Sequence, residues 1–118
     1  MSARVLGTAL LILTFMAAPA VADQRDDAKE QVEFGIQVAR RGLWREAIYR
    51  WERATQIDPT YAEAFNNLAV AYEHEGKLDK AREAYEKALA LDPDNAMIRQ
   101  NFDLFKEIND RSAKKDGR

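Results

Sequence analysis

The sequence contains no cysteine. The fold therefore has no disulfide to lean on, there is no thiol nucleophile, and no lipid-modified cysteine follows the N-terminal hydrophobic segment. Histidine is almost as scarce. His74 stands alone, whereas a zinc site asks for about three or four nitrogen or sulfur ligands. Its neighbours Glu73 and Glu75 are consecutive with it and do not converge at i,i+4 spacing. The five glycines form no phosphate-cradling loop. Asp92 and Asp94 lack the alternating oxygen ligands and central glycine of a calcium loop, and the few serines and threonines have no base at a recognisable spacing. No metal, no cofactor and no enzyme are read from these residues. An excess of positive charge is missing as well: 18 basic against 20 acidic side chains leave a formal charge of −2, without the basic field that nucleic acid requires.

Apolar residues are most concentrated at the start of the chain. Arg4 gives a short positive region, Val5 to Met16 is apolar, and Pro19 leads into Ala20-Val21-Ala22, the small-x-small pattern of a signal-peptidase site. Residues 1–22 are expected to be a cleavable signal peptide, which would deliver a soluble chain beginning at Asp23 to the periplasm. A retained N-terminal membrane anchor is the alternative. Val5 to Ala22 is uncharged, but it holds a proline and is shorter than the roughly 20 apolar residues of a comfortable span. Beyond Ala22 the chain is small enough for one domain with a modest margin of stability.

That domain is internally repeated. The window 62–95 matches the window 28–61 at an offset of 34 residues. Gly42 returns as Gly76, Ala47 as Ala81, Ala54 as Ala88 and Pro59 as Pro93, while Trp51 is matched by Tyr85 and Phe34 by Leu68. A period of this length is the signature of stacked helical hairpins.

Taken in order, Asp23 to Asp27 is charged, without periodicity, and reads as a flexible leader. The first helix is expected over about 28–41. Val32, Phe34, Ile36 and Val38 alternate like a strand, and the alignment with the helical second copy decides for helix. Gly35 costs about 1 kcal/mol of helix propensity against alanine, and its use is to let the partner helix come close. Gly42 ends the helix in the left-handed conformation. The second helix, about 44–57, puts Trp44, Ala47, Ile48, Trp51 and Ala54 on one face, with Trp51 in the core, and Asp58-Pro59 closes it. A third helix over about 61–75, ended by Gly76, and a fourth over about 78–91, closed by Asp92-Pro93, repeat the pattern. A fifth, over 95–110, carries Ile98, Phe102, Phe105 and Ile108 on its apolar face. With no sixth helix behind it, it is read as a capping helix, and residues 111–118 as a flexible tail.

These residues resemble the tetratricopeptide repeat. In the second unit Leu68, Ala69, Tyr72, Gly76, Ala81, Tyr85, Ala88 and Pro93 fall on the family's signature positions, with Phe65 in place of the usual tryptophan. In the first, Phe34, Gly35, Gly42, Ala47, Trp51, Ala54 and Pro59 match, while Gln31 and Val38 stand where aromatics are expected. The resemblance implies an all-α fold, a short α-solenoid of two helical hairpins (residues 28–61 and 62–95) and the capping helix. It also implies a concave surface, lined by the first helix of each repeat, that holds a segment of a partner protein.

Carried over by position, the groove residues are Lys29, Val32, Ile36 and Arg40 in the first unit, with Ala39 beside them. In the second they are Glu63, Asn66, Asn67, Val70 and His74, and in the capping helix Met97 and Gln100, with Asn101 next to them. Asn67 resembles the inward asparagine that bonds a bound peptide's backbone. The carboxylate-clamping subfamily has a lysine and an asparagine where this chain has Val32 and Ile36, so that activity is not expected. Val32, Ile36 and Val70 suit an apolar or amphipathic segment.

The functional expectation is an exported, non-catalytic protein–protein interaction module whose partner is a protein or peptide of the cell envelope. The alternative is a structural or assembly subunit that self-associates, possible as a homodimer, or braces a larger envelope complex. Export is checked by the intact mass of the secreted protein, expected to begin at Asp23; a mass that retains the hydrophobic segment would favour the anchor.

Overall fold

The computed structural model describes residues 21–117. All regular elements among them are helices: α1 (Val21–Arg40), α2 (Trp44–Ile57), α3 (Ala62–His74), α4 (Leu78–Leu91) and α5 (Ala96–Lys115). The segment expected to be a signal peptide lies outside the described residues except for its last two. α1 packs along α2 and α3 along α4 as helical hairpins; α3 also lies on α1 and α2, and α5 on α3 and α4.

The turns inside the two hairpins have the same backbone geometry. Gly42 and Gly76 have φ of 78° and 73°, a left-handed conformation that strains any residue with a Cβ. Gly42 N–H donates to the Ala39 carbonyl at 2.9 Å and Leu43 N–H to Val38 at 3.0 Å. One period later Gly76 N–H donates to Glu73 at 3.0 Å and Lys77 N–H to Tyr72 at 2.8 Å. This paired closure satisfies the carbonyls left free at a helix end. The two Asp-Pro turns also match. Asp58 and Asp92 are turned out of the helix at φ −133° and −140°, and their N–H groups donate back to Ala54 at 2.9 Å and Ala88 at 3.0 Å. Asn95 caps α5 by accepting from Ile98 N–H at 3.1 Å.

Helices approach closely where their contacts are small, and Ala47, Ala54, Ala64, Ala69, Ala81 and Ala88 are fully buried. The largest side chain of the first hairpin rests on the smallest residue opposite it. Trp51 lies against Gly35, where a Cβ would stand 2.8 Å from ring atoms Cδ1 and Cε2 and closer still to Nε1. The indole N–H donates to the Val32 carbonyl at 3.0 Å, which satisfies the one polar group of an otherwise buried ring. At the far end Tyr85 stacks on Phe102 with ring centroids 5.4 Å apart and meets Phe105 at 5.5 Å, and with Ile98 these rings dock α5. Tyrosine hydroxyls tie the helices laterally. Tyr72 donates to Glu52 at 2.9 Å and Tyr85 to Glu73. Burial and the Glu52 carboxylate push the Tyr72 pKa up to about 12; burial and the Glu73 carboxylate push that of Tyr85 up further.

Two boundaries differ from the sequence expectation. Residues 23–27, read as a flexible leader, form part of α1, which starts at Val21. Arg25 anchors this extension. Its guanidinium donates to Asp58 Oδ2 and to Thr60 Oγ1 at 3.1 Å, and sits 4.8 Å over the Tyr61 ring. The anchor lies 33 residues away in sequence, so local pattern could not reveal it. Similarly α5 runs on to Lys115 through residues assigned to the tail, supported by Arg111–Glu107 at 2.6 Å. Asp58 also accepts from Thr60 N–H at 3.0 Å and Thr60 Oγ1 at 2.6 Å. Burial alone would raise its pKa, but the hydrogen bonds from Thr60 and Arg25 outweigh burial and hold it below the ordinary 3.8.

Two outcomes follow for stability. Gly35→Ala gains about 1 kcal/mol of helix propensity but drives a methyl into the Trp51 ring, and overpacking of this kind costs about 1–3 kcal/mol, with the indole hydrogen bond worth about 1 kcal/mol more. The net expectation is a loss of stability in urea unfolding, and a stabilised variant would contradict the contact. Because the folded Asp58 carboxyl titrates below its unfolded value, its stabilisation is fully present above pH 3.8 and is lost as pH falls through the lowered value. Asp58→Asn is expected to lose roughly 1–3 kcal/mol at neutral pH, and thermal melts of variant and parent should converge as pH falls through the lowered Asp58 pKa.

Candidate binding groove

Stacking three first helices, α1, α3 and α5, side by side leaves a concave face between them. A groove of about 520 Å³ opens there, lined by Ile36, Ala39 and Arg40 of α1, Trp44 and Trp51 of α2, Glu63, Asn66, Asn67 and Val70 of α3, and Met97 and Asn101 of α5. Of the eleven positions carried over by resemblance, the structure brings Ile36, Arg40, Glu63, Asn66, Asn67, Val70 and Met97 together. The other four stand elsewhere.

Val32 was expected on the groove floor and is 1% exposed. It shares a helical stripe with the buried Ala28 and Gly35, so its side chain is spent inside the array. Lys29 is exposed and outside the lining. Gln100 lies on the outward side of α5 with Arg99, Asp103 and Glu107; Asn101, one residue on, takes the groove position. His74 leaves the groove floor to stack on Trp44, with ring centroids 4.1 Å apart and planes at 26°.

The polar groups differ in how committed they are. Asn66 is 2% exposed and accepts from Asn101 Nδ2 at 3.2 Å, a bond that joins α3 to α5 across the seam. It is structural first. Glu63 accepts from the Tyr61 hydroxyl at 2.8 Å; burial, first, and this carboxylate raise the tyrosine's pKa. Asn67 is different: its Nδ2 is buried and has no hydrogen-bond partner. An unsatisfied buried amide donor is costly, and this one belongs to a residue that lines the groove. The two tryptophans are the lining residues that positional carry-over missed. Trp51 was read as core, which it is at 4% exposure, yet one edge backs the groove. Trp44 belongs to the second helix of its repeat, and it stacks on His74 of the next repeat while lining the groove.

The electrostatics are mixed and local, with Arg40 and Glu63 facing the same opening. Among the described residues no group of three or more His, Cys, Asp or Glu side chains converges on a common point. What the groove offers is an apolar floor, an aromatic wall and an unpaired amide donor.

Comparison with known proteins agrees with the repeat. The "Tetratricopeptide repeat" family profile matches residues 62–95 and a "TPR repeat" profile residues 39–76. The chain belongs to the tetratricopeptide-repeat family. The chloroplastic "Tetratricopeptide repeat domain-containing protein PYG7" of Arabidopsis thaliana is 33% identical over 85 residues, covering 72% of this chain and 28% of that protein. The "Type IV pilus assembly protein PilF" of Pseudomonas aeruginosa is 35% identical over 82 residues, covering 69% of this chain and 32% of PilF. The chain thus spans less than a third of the length of these two relatives.

The solved structure of Pseudomonas aeruginosa PilF superposes with a TM-score of 0.71 at 30% identity over 75% of this chain and 40% of that one. The tetratricopeptide domain of Arabidopsis OM64 superposes at 0.68 over 75% of this chain and 73% of its own, at 18% identity, a likeness of fold alone. The chain is an all-α tetratricopeptide-repeat solenoid and a protein-interaction module. Among the described residues, no helix is long and apolar enough to cross a membrane.

Proposed function

We propose that this module holds an apolar or amphipathic segment of a partner protein in the concave groove, without catalysis, and that it does so in the periplasm after loss of the N-terminal hydrophobic segment. The observation that carries the reading is the pairing of an apolar floor with the unpartnered Asn67 amide. Ile36, Val70 and Met97 offer surface that gains by leaving water, Val70 being 37% and Met97 52% exposed. Asn67 lines the groove with them, and its buried Nδ2 has no acceptor until a small turn of the side chain brings it to a ligand. A segment with apolar side chains and a free backbone carbonyl supplies both. The relative named for type IV pilus assembly supports a role in building a larger protein assembly.

Bracing through the open faces of the array, the other possibility raised by the sequence, has less behind it. The outer stripe of α1 is Asp27, Glu30, Phe34 and Gln37, all exposed, and its one apolar member has the Arg50 guanidinium 4.3 Å over its ring. At the other end, α5 places Arg99, Asp103 and Lys106 at the register where α3 places Phe65, Ala69 and Tyr72 against α4. Charge on these two faces favours water over a further helix stacked there in the register of the repeat.

The test is capture from an envelope extract on immobilised protein. Ile36→Asp with Val70→Asp is expected to abolish capture of the partner, a loss of at least about tenfold for two charges set in a desolvated contact, with helical content by circular dichroism unchanged. Undiminished capture by the doubly substituted, folded protein would place the interaction elsewhere.

A further inference from the structure

One apolar feature extends beyond the groove. α5 carries Met97, Leu104 and Ile108, exposed at 52%, 55% and 53%. Their spacing of seven and four residues aligns them in a single stripe about 16 Å long on a straight helix. The stripe lies on one flank of α5, roughly a quarter turn from Ile98, Phe102 and Phe105, which are buried against the body. None of the three carries the packing of its own chain. Apart from the small Ala96 and Ala113, polar and charged residues occupy the remaining exposed faces of α5, so the large apolar exposure is confined to one line and is of the width that a helix–helix seam uses.

The charges at the ends of this stripe are of opposite sign. Asp92 and Asp94 lie just before α5, and Arg111, Lys114 and Lys115 close it. A helix with an apolar middle, an acidic start and a basic finish is complementary to itself in the antiparallel sense. In the register that sets Met97 opposite Ile108 of the second helix, Leu104 falls near the centre of the seam. Asp94 then meets Arg111, whose guanidinium also holds Glu107 of its own helix, twice by symmetry, and the two helix dipoles oppose each other. Parallel pairing would stack like charges at both ends. α5 also reaches farther than its counterparts. It has 20 residues to the 13 of α3, and the added C-terminal turns keep the basic end clear of the body.

We propose that a second copy of this chain docks on this stripe, giving a two-fold dimer built on antiparallel α5 helices. The seam is a different surface from the Ile36 and Val70 floor, shares only Met97 with it, and needs no groove ligand. A contact of two helices buries less than the roughly 1,200 Å² at which stable interfaces begin, so the dimer is weak and depends on concentration.

Sedimentation velocity of the purified chain from about 5 to about 500 µM is the test, a hundredfold range that spans weak association. The s-value is expected to rise with concentration from monomer to dimer. Leu104→Asp with Ile108→Asp, both exposed in the monomer, is expected to hold the protein monomeric throughout with its circular dichroism unchanged. Asp94→Arg is expected to weaken association several-fold, and Asp94→Arg combined with Arg111→Asp to restore it. That rescue is the readout which a general loss of solubility or folding cannot mimic. A parent chain that stays monomeric at the highest concentration overturns the proposal. So does a dimer that survives the two aspartates, or a charge swap that fails to rescue.

Discussion

The architecture turns on one contact, the Trp51 indole lying on Gly35. A helix hairpin needs a large side chain to fill the space between its members and a place for that side chain to go. Gly35 gives up a Cβ, at a cost in helix propensity, and the ring occupies the gained space while its N–H bonds the Val32 carbonyl. This fixes the separation and rotation of α1 against α2. Because α3 lies on both, it also fixes the position of α1 at the groove. Ile36 and Arg40 face the opening because Val32 and Gly35, on the neighbouring stripe, are held inside. The edge of the same ring forms part of the groove's wall, so the contact that makes the hairpin also shapes the surface.

The second hairpin solves the same problem with different chemistry. Tyr85 replaces tryptophan and Ala69 replaces glycine, a smaller knob in a smaller hole. The tyrosine hydroxyl is satisfied by Glu73 rather than by a backbone carbonyl. Its ring is then free to stack on Phe102 and Phe105, which is how the capping helix is held. At the other end of the array, Arg25 performs the corresponding service for α1 by binding the first Asp-Pro turn. The chain is closed by an ionic clasp at its first helix and an aromatic one at its last.

Sequence period alone disclosed the hairpins, the glycine turns and the Asp-Pro turns, because each depends on a residue type whose backbone preference is intrinsic. Gly42 and Gly76 adopt the expected left-handed conformation. The extent of α1 was hidden, since nothing about Asp23 to Asp27 announces a helix until Asp58 stands opposite Arg25. The groove was half visible. Positions fixed by helical register alone, such as Ile36, Val70 and Met97, are where repeat equivalence puts them. Val32, Gln100 and His74 are not, because burial in a hairpin, the uncovered outer side of α5 and a stack on Trp44 are tertiary facts that register does not contain. The unpaired Asn67 donor could not be distinguished from the paired Asn66 by sequence, although the two are adjacent.

The central claim is that a partner segment lies along the inner surface, against α1 and α3. It is tested most directly by a photo-crosslinking amino acid placed at Val70 on the floor and, in a parallel strain, at Glu86 on the exposed outer side of α4, with the crosslinked peptides mapped by mass spectrometry from intact cells. The account predicts crosslinks from position 70 to one contiguous apolar segment of a partner protein and none of that segment from position 86. Crosslinking of the segment from 86 and not from 70 would contradict it.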